Sequence, residues 1–163
     1  MQKATALLLV ILPLYFGIAQ IQPENIEIVR DRFGIPHIFA KTDTEVAYGL
    51  AWAHAEDDFK TIQLGYLAGN NLLSKHLGNQ GLGADFIAQF IGSETLFDQK
   101  YNTAISPEYK KIIRAYAEGL NRYAALHPDE VLVPELFPIN EKNNNSLNLF
   151  PFFLACNGSG ILI

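Results

Sequence analysis

Hydrophobic and polar positions change period several times along the chain, and each change marks an element. Ile26, Ile28 and Arg30 alternate with Glu27 and Val29, the period-two pattern of a half-buried strand. Asp31-Arg32-Phe33-Gly34 is turn chemistry, and Pro36 through Ala40 reads as a second strand with proline at its start. The pair predicts a hairpin. Thr42-Asp43-Thr44-Glu45 then has capping-box spacing, so a helix should begin there and bury Val46, Ala47, Leu50 and Ala51. Its apolar stripe continues through Phe59, Ile62, Tyr66 and Leu67. Gly65 and Gly69 weaken it, since each costs about 1 kcal/mol relative to alanine. A break is expected at Gly69-Asn70-Asn71, then a short helix to Gly78, a loop to Gly83, and a helix from Ala84 to Phe97. Ser106-Pro107-Glu108 supplies a capping serine, a proline at the first helical position and an acid at the positive end. The helix it opens carries Ile112, Ile113, Tyr116, Leu120 and Tyr123 on one face and should end near Leu126. The predicted class is α+β, a mostly helical body behind a short β-hairpin.

The two ends differ from this body. Residues 1–19 read as a secretory signal peptide: Lys3, then an apolar run around Leu7-Leu8-Leu9-Val10-Ile11-Leu12, then Gly17-Ile18-Ala19 as a small-residue cleavage site. A membrane anchor is the rival reading, but the run is shorter than the roughly 20 residues a spanning helix needs, and Pro13 interrupts it. The expected address is periplasmic or secreted. Residues 20–142 form the body. Residues 143–163 carry no charge, from Asn143-Asn144-Asn145 through Phe150-Pro151-Phe152-Phe153 to Ile161-Leu162-Ile163. This tail is read as a docking segment, a strand pair, or the product of truncation or a frame change near Asn143; the last is preferred.

Composition narrows the classes. The chain has 163 residues, 49% of them hydrophobic, and a net charge of −5. It lacks the basic face of a nucleic-acid binder, so nucleic acid is not expected as a partner. Cys156 is the single cysteine, so neither an intrachain disulfide nor a cysteine-based zinc site can form.

Few residues offer chemistry. His54, Asp57 and Asp58 fall on one helix turn, the spacing of a metal site or an acid–base pair. The plainer reading, which is preferred, is a polar face with Asp57 paired to Arg30 or Arg32. His37 is expected to be a buried, hydrogen-bonded strand residue, and His76 and His127 to sit at helix ends, where cations are favoured. Cys156 lacks charged neighbours that would activate it, and Ser159 lies four residues from the end of the sequence. No catalytic, cofactor-binding or metal-binding residue is assigned.

Several ordered motifs nevertheless form a series. Val29-Arg30-Asp31-Arg32-Phe33-Gly34-Ile35-Pro36-His37-Ile38 resembles the start of the mature penicillin acylase family. Glu45 to Gly49 resembles the family's segment leading to Tyr-Gly, and Ala51-Trp52-Ala53-His54-Ala55-Glu56-Asp57 its Ala-(Gln/Glu)-Asp helix. The stretch from Gly69 to Leu77-Gly78 is similar to its glycine-rich segment, and Tyr116-Ala117-Glu118-Gly119-Leu120-Asn121 to its Tyr-Ala-x-Gly-(hydrophobic)-Asn helix. The series spans Ile26 to Pro138. The His-Ala-Glu-Asp form is as similar to the homoserine-lactone, lipopeptide and cephalosporin acylase branches as to penicillin G acylases. One departure is Asp58, where many members carry Arg or Asn; it puts the local salt bridge in doubt.

The resemblance implies an exported N-terminal-nucleophile hydrolase of αββα fold, made as a precursor that cuts itself into an α and a β chain. The N-terminal serine of the β chain attacks a linear amide, with its own α-amino group as base and an oxyanion site. This sequence is similar to the early α chain alone. The β-chain serine, its oxyanion asparagine and most calcium ligands have no counterpart in it. The implied partners are a β chain and, in the full enzyme, a small N-acyl amide. No cofactor is expected in this chain, calcium belonging to the full-length enzyme, and no membrane is expected after signal cleavage. The chain is accordingly expected to be inactive alone. Two other classes remain: a secreted binding module reusing the α-chain scaffold, and a metal-binding surface protein using His54, Asp57 and Asp58.

Overall fold

Residues 21–90, 101 and 103–139 are described by the computed structural model. Strands β1 (Glu27–Arg30) and β2 (Pro36–Phe39) pair antiparallel, with Ile28 opposite Ile38 and Arg30 opposite Pro36. Asp31 builds the turn. Its Oδ1 accepts from the Phe33 N–H at 2.8 Å and the Ile35 N–H at 3.0 Å, and Gly34 takes φ +82°, a value that favours glycine.

Helix α1 (Asp43–Gly69) starts with the expected capping box. The Thr42 side chain accepts from the Glu45 N–H, and Glu45 Oε2 accepts from the Thr42 N–H at 3.0 Å. The helix then kinks where no break was expected. Asp58 has φ −161° and ψ 74°, outside the helical region. Its Oδ1 accepts from the Thr61 N–H at 3.0 Å and its Oδ2 from the Thr61 hydroxyl at 2.7 Å, which is N-cap chemistry for a second helical segment. The expected break beyond Gly69 is also present: Asn71 has φ 55°, and α2 (Leu73–Leu77) follows.

The loop foreseen from Gly78 to Gly83 contains a single 3-10 turn, and α3 (Leu82–Phe90) begins two residues early. Buried Asp85 explains this: its two oxygens accept from the Leu73 and Ser74 N–H groups at 3.0 and 2.8 Å, tying α3 to the start of α2. The rest of that helix expectation, from residue 91 on, lies outside the described residues. Helix α4 (Pro107–Leu126) matches its forecast, with the Ser106 hydroxyl accepting from the Tyr109 N–H.

The core lies between α1 and α4. Ala47, Ala51 and Ala55 recur every fourth residue on α1 and face Ala115, Tyr116, Leu120 and Tyr123 of α4, with Phe59, Ile62 and Tyr66 continuing the cluster. Small residues let the backbones approach. A Cβ placed on Gly119 would stand 2.5 Å from the Tyr48 carbonyl oxygen and 2.8 Å from Ala51 Cβ. Gly49 does the same for the hairpin, where a Cβ would meet Ile26 at 2.8 Å and Ile38 at 2.9 Å. Two positions expected in the core differ: Val46 is exposed and Leu50 only half-buried, because the stripe facing α4 is set by the alanines one residue on. The class is as predicted, mostly helical with one short antiparallel hairpin.

Candidate functional site

The residues weighed for chemistry are held by three separate devices. The first is Arg30, at the end of β1. Its Nη1 donates to the Gly34 carbonyl at 2.9 Å, and its Nη2 reaches Glu56 Oε2 at 3.1 Å and Asp57 Oδ1 at 2.8 Å. One guanidinium thus ties the hairpin turn to α1, and the two carboxylates hold it above its ordinary pKa, Glu56 first. Of the two arginines expected as partners of Asp57, Arg30 makes the pair, and Asp58 leaves it intact. Glu56 Oε1 accepts from Trp52 Nε1 at 2.8 Å, and Trp52 stands edge-on to Tyr123 and His127 of the α4 end.

The second device is His54. Its Nδ1 lies 3.0 Å from the Tyr116 hydroxyl. Burial pushes its pKa down, and the charge of Asp57 opposes that only in part. His54, Asp57 and Asp58 therefore point to three different partners: Tyr116, Arg30 and Thr61. They do not converge, and among the described residues no group of three or more His, Cys, Asp or Glu side chains is placed to hold a metal ion.

The third device is a pair of side-chain amides, one buried and one half-buried, that sequence reasoning did not single out for this role. Gln63 is fully buried; its Nε2 donates to the Glu130 carbonyl at 3.0 Å and its Oε1 accepts from the Leu132 N–H at 2.7 Å. Asn121 grips Ile139 in the same way. Both amides fix the segment that leaves α4, which carries 3-10 turns at Pro128–Glu130 and Pro134–Leu136.

His37 corrects its expectation. It is exposed, not buried, and its Nε2 lies 3.6 Å from Asp31 Oδ2 across the turn. It sits on the outer side of the hairpin, opposite the face that Ile28 and Ile38 pack against α1. His127 caps α4, with Nδ1 at 3.0 Å from the Tyr123 carbonyl oxygen and its ring stacked on Tyr123; His76 is exposed at the end of α2. Cys156, Ser159, the expected signal peptide at residues 1–19 and the uncharged stretch at 143–163 lie outside the described residues. The arrangement positions chain segments; among the described residues, His54, Asp57, Asp58 and His37 are engaged in structural contacts.

The scaffold is thus a clamped hairpin on a kinked helix, packed against a second long helix that carries Tyr116, Gly119 and Asn121. The family model described as penicillin amidase matches residues 25–146, and the chain belongs to that family. The penicillin acylase 2 proenzyme of a Pseudomonas species is 28% identical over 100 residues, covering 61% of this chain and 13% of that protein. The acyl-homoserine lactone acylase PvdQ of Pseudomonas fluorescens is 27% identical over 117 residues, covering 67% and 15%. Among solved structures, thermostable penicillin G acylase from Alcaligenes faecalis superposes with a TM-score of 0.57 at 24% identity, over 80% of this chain and 68% of that one. That likeness speaks for the fold. The chain spans 13–15% of the length of the curated relatives it matches.

Proposed function

We propose that this chain is the opening part of the α chain of an exported hydrolase of linear amide bonds, and that it does not hydrolyse them by itself. The observation that carries the reading is the family match over residues 25–146 combined with side chains that are spent on positioning. The names of its relatives point to N-acyl substrates, either β-lactam side chains or acyl-homoserine lactones. In this reading the nucleophile and oxyanion donors come from a β chain, and α1 and α4 are the platform on which that chain is built. The apolar run and cleavage pattern of residues 1–19 support a periplasmic or secreted address.

Two measurements test it. Purified chain is incubated with penicillin G and with an N-acyl-homoserine lactone, and released amine is followed with an amine-reactive dye. No release above buffer is expected; release by the chain alone overturns the claim of inactivity. Reading the DNA beyond codon 142 in all three frames should reveal further α-chain helices and a serine-led β chain. Their absence removes the parent enzyme from the account.

A further inference from the structure

The hairpin, α1 and α4 enclose an open cleft of about 300 Å³. Ile26 and Ile28, Tyr48, Gly49 and Trp52 of α1, and Arg122 and Leu126 of α4 are among the residues that line it. The volume is at the lower end of small-molecule sites, and the lining has the usual make-up of apolar walls with one or two polar groups. Arg122 is the cation of this lining. Among the described residues it has no ion-pair partner, unlike Arg30, which holds two carboxylates. Glu118 lies one turn earlier on α4, so the guanidinium is not its only neighbouring charge. Burial raises the pKa of the Tyr48 hydroxyl; the Arg122 charge opposes the rise and Glu118 adds to it.

We infer that this cleft binds a small amphipathic carboxylate, its alkyl part against Ile26, Ile28 and Leu126 and its carboxylate on Arg122. Charge complementarity selects this occupant. An apolar groove alone would accept any greasy segment, but a guanidinium among its lining residues, without an ion pair to Glu118 or to another carboxylate among the described residues, favours a ligand that ends in an anion. Binding requires no bond making, and it does not depend on the amide-hydrolase reading.

Trp52 provides the readout, because it is the only tryptophan of the chain and is among the residues that line the cleft. The 163-residue chain is titrated with hexanoate and, separately, with hexanamide, which has the same alkyl part without the charge. Tryptophan emission is followed, with ligand-observed saturation-transfer NMR in parallel should emission be silent. A saturable response to hexanoate is expected, at least about tenfold tighter than to hexanamide. Arg122→Gln should remove that preference while leaving the hexanamide response unchanged, and Arg122→Lys should retain part of it. Circular dichroism checks that both variants keep the wild-type helix content. Equal responses to the two probes, an unchanged preference in Arg122→Gln, or no saturable binding by either method up to about 10 mM overturns the assignment. A dimer that Leu126→Glu disperses gives the cleft to a second copy of the chain and overturns it equally.

Discussion

The Asn121 side chain closes a two-bond ring on the backbone of Ile139: Nδ2 donates to the carbonyl at 2.8 Å, and Oδ1 accepts the N–H at 2.6 Å. The contact spans 18 residues of sequence and pins the segment after α4 beside the helix, where buried Ile139 joins the core. Asn121→Ala would leave a partly buried N–H and C=O without partners, at about 1–3 kcal/mol for each such group. The expected loss in urea unfolding is about 2 kcal/mol. Asn121→Asp keeps the acceptor but sets a carboxylate oxygen against the Ile139 carbonyl, so it should lose at least as much as alanine. A loss below about 0.5 kcal/mol in Asn121→Ala would show that the ring is not formed in solution.

Gly119 makes the opposite of the usual helix prediction. Glycine inside a helix is worse than alanine by about 1 kcal/mol, so Gly119→Ala would be stabilising on propensity alone. Here the added Cβ meets the Tyr48 carbonyl oxygen at 2.5 Å and Ala51 Cβ at 2.8 Å. Backbone cannot swing aside as a flexible side chain does, and overpacking costs about 1–3 kcal/mol. Gly119→Ala is therefore expected to lower the melting temperature. At Gly83 a Cβ meets nothing within 4 Å, so Gly83→Ala serves as the control and should be neutral or stabilising.

These two residues show what the sequence makes legible. Periodicity located the hairpin, both long helices and most of the α1–α4 core, because their apolar positions repeat locally. It even anticipated the Arg30–Asp57 pair, whose members are opposite charges on adjacent elements. The roles of Gln63, Gly119 and Asn121 depend on groups far along the chain, and no local pattern encodes a distant carbonyl. The kink at Asp58 escaped for a different reason: the apolar stripe runs straight through it, masking an Asp-x-x-Thr cap. Placing His37 in the interior failed because a strand tells only that neighbours alternate, not which face a two-stranded hairpin will bury.

That cap predicts a pH dependence. Hydrogen bonds from the Thr61 hydroxyl, then from its backbone N–H, hold the Asp58 carboxyl below its ordinary value of 3.8. A carboxyl depressed in the fold contributes stability that is fully present above that ordinary value and is lost as pH falls through the folded one. Asp58→Asn retains a capping oxygen and removes the titration. Urea midpoints between pH 5 and about 2.5 should fall less steeply in Asp58→Asn than in the wild type. Equal slopes would mean that the cap does not distinguish the charged from the neutral carboxyl.

His54 carries the opposite proton preference to a salt-bridged histidine. Burial against Tyr116 lowers its pKa from 6.5, so the fold disfavours the charged ring. The unfolded chain binds the proton first as pH drops, and stability should decline from about pH 6.5 down to the folded value, then level off for this group. Nothing is lost as pH rises above 6.5, since the ring is then neutral in both states. His54→Gln keeps a polar side chain but does not titrate, so the difference in unfolding free energy between the two proteins should narrow below that pH. Proton NMR of the His54 ring gives the direct check. A midpoint above 6.5 would mean that Asp57 outweighs burial and would invert the predicted slope.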